Sequence, residues 1–176
     1  MIGAFVAAAI VTAAPAPSPP PARNANTSTY TKLHKATCRV IETHEQGGYT
    51  LQRCRGIGGF DLLLESFDSR DDVRLSHSLG EDDLHLENVT MEFNGVGEVV
   101  EWRMAGKTVV ALILRLVVDE SDGPAHPRFH PLLIVAKVRP AGSCVVQIVD
   151  TRAVRDANTQ ARRLADRAQT SSCLSP

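Results

Sequence analysis

The chain has 176 residues, a formal net charge of −1, 43% hydrophobic residues and four cysteines. A near-neutral chain with no block of basic residues and no interleaved aromatics has no general pull on nucleic acid or on an anionic membrane surface, which argues against nucleic-acid binding. An even cysteine count behind an apolar leader points instead to export and to disulfides.

Met1 to Ala14 carries no charge and is followed by Pro15-Ala16-Pro17-Ser18-Pro19-Pro20-Pro21. Residues 1–16 read as a secretory signal peptide, although no Lys or Arg precedes the apolar run. Val11-Thr12-Ala13 and Ala14-Pro15-Ala16 both offer small residues for cleavage. A membrane anchor is disfavoured, because spanning takes roughly 20 apolar residues and this run meets Pro15 first. No stable membrane span is expected after cleavage. Residues 17–30 read as a Pro-rich disordered tether, with Asn24 to Thr31 polar and irregular. That leaves residues 31–176 as a single β-rich domain in a periplasmic or secreted protein.

Cys38 to Glu45 and Tyr49 to Cys54 read as a hairpin through a three-residue loop, Glu45-Gln46-Gly47, with the glycine left-handed. That register sets Cys38 opposite Cys54, Ile41 opposite Leu51 and Thr43 opposite Tyr49. It also opposes Arg39 and Arg53, which is unfavourable unless a carboxylate or a ligand lies between them. Gly56-Ile57-Gly58-Gly59 is a turn, Phe60 to Phe67 a strand, and Val73 to Leu79 a further strand between polar loops at Ser69 to Asp72 and Leu79 to Asp83. Glu98 to Met104 and Thr108 to Val118 form a second hairpin, turning at Ala105-Gly106-Lys107. Leu132 to Arg139 and Cys144 to Asp150 follow.

Val109 to Val118 is apolar except for Arg115, as expected of a strand covered on both faces. One register places Val100, Trp102 and Met104 on a face with Val110, Leu112, Leu114 and Leu116, joined by Leu132, Ile134, Ala136 and Val138. Glu101, Arg103, Ala111, Ile113, Arg115, Lys137 and Arg139 then share the other face. Ala157, Ala161, Leu164, Ala165 and Ala168 follow a helical period, with Asp156 at the amino end and Arg162, Arg163 and Arg167 toward the carboxyl end. The fold class is therefore α+β: mainly antiparallel β-sheet with one C-terminal helix, stapled by disulfides. Of the three possible pairings, Cys38–Cys54 with Cys144–Cys173 joins facing hairpin residues and ties the helix to the sheet.

The stretches Cys38-Arg39-Val40-Ile41-Glu42, Gly48-Tyr49 through Cys54, Glu101-Trp102-Arg103, Val110 to Arg115 and Asp156-Ala157-Asn158 to Asp166 resemble a family of small secreted bacterial proteins. The resemblance spans most of Tyr30 to Cys173. That family has no assigned biochemical function, so the resemblance implies a bacterial, exported protein and carries over no catalytic residue.

Catalytic patterns are weak. His126 and His130 have a spacing of four, but Pro127 and Pro131 argue against a helical metal site, so an exposed loop pair is expected. His77 and His85 flank Asp82-Asp83 and could converge. Ser76-His77-Ser78 is a strand fragment whose neighbours point to opposite faces. Asp119-Glu120-Ser121-Asp122-Gly123 reads as a solvated turn. Oxidised cysteines leave no thiol for catalysis. No metal and no cofactor are expected.

One constellation stands out: Glu101, Arg103, Arg115, Lys137 and Arg139 on one face of three strands. A structural ion pair of Arg115 with Glu101 is the first expectation, and an anion-accepting surface the second. The function expected is a non-enzymatic secreted or periplasmic binding module for an envelope protein, peptide or polymer, hydrolase inhibition being one form of it. The alternative is a small envelope hydrolase with a site of dispersed His and carboxylates.

Overall fold

The computed structural model describes residues 26–34, 37–45 and 48–174; the leader and residues 17–25 of the expected tether lie outside them. The fold is α+β, with mostly antiparallel sheet and one helix near the C-terminus. One sheet is a meander of β2 (Arg39–His44), β3 (Tyr49–Arg55), β4 (Asp61–Phe67), β5 (Arg70–His77) and β6 (Gly80–Asp83). The other contains β1 (Thr27–Lys32), β7 (Asn94–Val96), β8 (Val99–Ala105), β9 (Thr108–Asp119), β10 (Phe129–Lys137) and β11 (Cys144–Asp150). Its order is β1-β8-β9-β10-β11, and β7 follows the same edge of β9 beyond β8.

The two sheets close on a shared apolar core. Leu62, Leu64, Val73 and Leu75 of the meander meet Val100, Trp102, Leu112, Leu114, Leu116 and Ile134 of the second sheet. Alternation along each strand sends one face inward, as expected for packed sheets. Trp102 is 0% exposed, and its Nε1 donates to Thr31 Oγ1 at 2.8 Å. Gly56 is obligatory beside it: a Cβ there would lie 2.4 Å from Phe60 O and 3.0 Å from the Trp102 ring.

The outer face of the second sheet carries α1 (Ala157–Ala165). Ala157, Ala161, Ala165 and Ala168 pack on Ala111, Ile113, Leu133, Val135, Val146 and Val149. Alanine methyls stabilise by ~0.8 kcal/mol each at most, and a nine-residue helix is marginal on its own. Polar clamps and the Cys144–Cys173 bridge therefore help to hold it in place. Asp156 occupies the position before the helix without a side-chain cap bond. No described helix is long and apolar enough to cross a membrane.

Several local expectations need correction. Thr27–Lys32 form a strand rather than the end of a tether, pairing from Thr27↔Met104 to Lys32↔Val99. In the first hairpin Arg39 does oppose Arg53, but a bulge between Val40 and Glu42 sets Glu42 against Leu51 and His44 against Tyr49. The expected Ile41–Leu51 and Thr43–Tyr49 pairs are thereby lost, because an extra residue shifts the register by one. Gly48 is the left-handed residue of that loop, at φ 65, while Gly47 lies outside the described residues.

The turn after β4 is Asp68-Ser69, both at positive φ, as a two-residue primed hairpin turn requires. Residues 70–72 accordingly belong to β5, and the expected polar loop at 79–83 contains β6. A bulge between Arg103 and Met104 puts Val109, not Val110, into the core. Both disulfides have the expected pairing, Cys38–Cys54 and Cys144–Cys173.

Candidate functional site

The expected constellation separates into partnered charges and one without a partner. Glu101 and Arg103 do project to the helix side of the sheet, where their side chains are 10% and 8% exposed. Arg162 of α1 grips the Glu101 carboxylate through Nε at 2.7 Å and Nη2 at 3.1 Å. Arg103 binds Asp166 through Nε at 2.9 Å and Nη2 at 3.0 Å, and Nη2 also donates to Asn26 O at 2.9 Å. Ser28 Oγ bridges the two, donating to Glu101 and accepting from Arg103.

Lys137 Nζ donates to Ser171 O at 3.1 Å, and Arg139 Nε to Gln169 Oε1 at 3.0 Å. These groups fasten the helix and the segment after it to the sheet. The low exposure of Glu101, Arg103 and Lys137 makes their contacts costly to break one side at a time.

Arg115 is the exception. The expected Arg115–Glu101 pair does not form, because Glu101 is taken by Arg162 from the helix. The Arg115 side chain has no hydrogen bond or ion pair with another described residue. It stands in β9 opposite Leu133 on one side, while Gly97 N donates to its carbonyl at 2.8 Å on the other. Gly97 leaves room for the arginine stem, since a Cβ there would be 3.1 Å from Arg115 Cβ. The guanidinium side of this row opens on a cleft of about 200 Å³ between β1, β8, β9, β10 and the first turns of α1. Tyr30, Glu101, Asn158 and Arg162 supply its polar lining, and Ile113 and Leu133 its apolar wall. Glu101 is already answered by Arg162 and Arg103, so the Arg115 charge is the one left over.

A second cleft, of about 250 Å³, opens on the meander beside β7 and is lined by Glu65, Asp71, Asp72, Asp83, Glu87 and Arg70, among others. Much of its acid is structural. Asp71 accepts from Ser66 Oγ and from Val96 N, and Asp72 Oδ1 accepts from Val73 N and Leu86 N. Burial, then the charge of Asp83 and a hydrogen bond with Glu87, push the Asp72 carboxyl up to about 7. Glu87 moves the other way, lowered by its own backbone N–H and by hydrogen bonds with His85 and Asp72, against the opposing effect of burial.

Asp83, His85 and Glu87 bring three potential ligand atoms within 4.8 Å of one another. His85 Nδ1 is bonded to Glu87 Oε1 at 3.0 Å, and Asp83 accepts from His85 N at 2.7 Å. Of the expected His77/His85/Asp82/Asp83 group, only His85 and Asp83 converge. His77 packs on Phe60 at 4.7 Å, and Asp82 turns away to accept from Gly142 N and Ser143 N. Ser78 lies in the turn after β5, outside the strand expected for it, with its Oγ 3.3 Å from His77 Nδ1.

His126 is exposed as expected, but His130 is not a loop residue. It lies in β10, 17% exposed, with Nδ1 at 2.9 Å from Glu120 and Nε2 at 2.8 Å from Asp150. The hydrogen bond with Asp150 raises its pKa, burial opposes, and Glu120 adds to the rise. Arg152 binds the other Glu120 oxygen at 2.9 Å, so the cluster closes the end of the sheet. Sequence reasoning missed Glu87, Arg162 and Asp166. Arg162 and Asp166 were visible only as a polar helix face, and Glu87 as part of a charged loop.

A scan of protein-family models, a search of curated proteins and a search of solved structures each found no match to this chain.

Proposed function

We propose that the chain is a non-enzymatic secreted or periplasmic binding module that takes a carboxylate of a protein or peptide ligand in the Arg115 cleft. The observation that supports this reading is Arg115 itself, a cation in an otherwise apolar strand with no described partner, facing a cleft. A guanidinium held beside apolar walls recognises a carboxylate through paired N–H bonds, and Asn158 and Tyr30 stand ready as further donors. A volume near 200 Å³ suits one acidic side chain or a chain terminus rather than a whole small molecule.

An exposed apolar end of the sandwich, Phe67, Met91, Phe93 and Phe129, fits a protein-binding role as well. A hydrolase blocked through an acidic loop is one partner of this kind. The test is titration of the mature chain with N-acetylglutamate and with an acidic peptide, following the Arg115 Nε–Hε resonance. Saturable shifts lost in Arg115→Met support the reading. Shifts equal to those of a chloride control contradict it.

A second reading, an envelope hydrolase, is favoured by one observation: Asp72 and Glu87 are driven apart in pKa within the second cleft, as an acid and a base would be. Hydrolysis of envelope polymers by the wild-type chain, lost in Asp72→Asn, would establish it.

A further inference from the structure

The outer face of the meander sheet carries an arrangement that the fold does not explain. Arg39 and Arg53 are directly opposed in register, and Arg55 lies two residues further along β3. Like charges directly opposite are destabilising. Together with Thr37 and Asp61 the three arginines line a shallow depression of about 320 Å³. The nearest acid, Asp61, is 3.8 Å from Arg53 Nη1, too far for a hydrogen bond. Arg53 Nε is buried without a hydrogen-bond partner among the described residues. The side chains of Arg39 and Arg55 make no hydrogen bond or ion pair with another described residue.

The structural role of a row of arginines here is limited. The register places Leu63 between Arg53 and Arg74, and Leu63 is 2% exposed although it faces outward. Arginine stems cover such a leucine without needing their head groups at all. Three guanidiniums against one carboxylate leave two positive charges unanswered. The Cys38–Cys54 bridge, with Cα atoms 4.3 Å apart, pins β2 to β3 beside this row and prevents the strands from separating to relieve the repulsion.

We infer that the Arg39, Arg53 and Arg55 depression is a binding site for a doubly charged phosphate group. Its two negative charges match the local excess. Its oxygens accept from guanidinium forks that are already gathered. A single carboxylate would leave half of the excess charge in place. The site is on the opposite sheet from Arg115 and does not depend on the role given to it.

The experiment follows the arginine Nε–Hε resonances of the full chain during titration with inorganic phosphate and, separately, glycerol 3-phosphate, against chloride at matched ionic strength. Saturable shifts at Arg39, Arg53 and Arg55 are expected, with none at Arg128. Arg39→Gln and Arg55→Gln, both on exposed positions, should each weaken binding about tenfold. The melting temperature should rise with phosphate, as it does for any ligand that binds only the folded state. Tighter binding of glycerol 3-phosphate would assign the site to a phosphomonoester carried by a lipid or polymer, and equal or weaker binding to the free ion. Chloride producing the same shifts, or unchanged affinity in both variants, would overturn the inference.

Discussion

Arg103 and Arg115 lie on the same face of the same sheet, and the fold treats them differently. Arg103 is held at the C-terminal end of α1 and makes four hydrogen bonds, to Asp166, Ser28 and Asn26. Arg115 is at the other end of the face, near the first turns of the helix, with a cleft beside it and no described partner. Arg103, Lys137 and Arg139 hold the C-terminal end of the helix and the segment after it to the sheet. Beside the first turns Glu101 is taken by Arg162, and the Arg115 charge is left for something else. The same contrast holds between the sheets: one outer face is covered, and the other presents opposed arginines to solvent.

Breaking the covered region should have the largest effects. Cys144→Ala with Cys173→Ala removes the bridge across 29 residues and should cost ~3–4 kcal/mol in chemical denaturation, with early release of the C-terminal helix in hydrogen exchange. Glu101→Ala should cost about 3 kcal/mol, because it strands Arg162 and removes one partner from nearly buried Arg103. A cost below 1 kcal/mol would mean that the clamp does not hold the helix.

The open sheet should respond in the opposite direction. Asp72 has a folded pKa raised to about 7, above its unfolded value, so the folded state binds the extra proton. Stability from this group is present below about pH 4 and is lost as pH rises to about 7. Asp72→Asn keeps an oxygen for Val73 N and Leu86 N, and should flatten that slope. It should raise stability at pH 8 by about 1 kcal/mol, less than the full shift because the carboxyl still meets water. Arg39→Gln should stabilise by ~0.5 kcal/mol in phosphate-free buffer by removing the opposition to Arg53. A loss of stability there would show that Arg39 has a structural partner.

What the sequence revealed, and what it hid, follows the same physical lines. Strict alternation in 100–104 exposed the faces of β8, the apolar run of 109–118 broken only by Arg115 marked β9 as covered on both faces, and the alanine period exposed α1. Both disulfides were legible because the hairpin set Cys38 beside Cys54. β1 was hidden because Thr27, Ser28, Thr29 and Thr31 show no apolar alternation; its side chains earn their place through Trp102, Glu101 and Arg103. The two bulges were hidden because one inserted residue leaves no periodic trace. The wrong partner for Arg115 came from pairing within the sheet, when Glu101 is reached by a helix residue 61 positions away.

Arg115→Met tests the central claim most directly, with stability and carboxylate binding measured on the same sample. The cleft reading predicts a change in unfolding free energy of no more than ~0.5 kcal/mol together with loss of N-acetylglutamate binding. A cost of several kcal/mol with binding retained would contradict it, and would make Arg115 one more clamp of the fold.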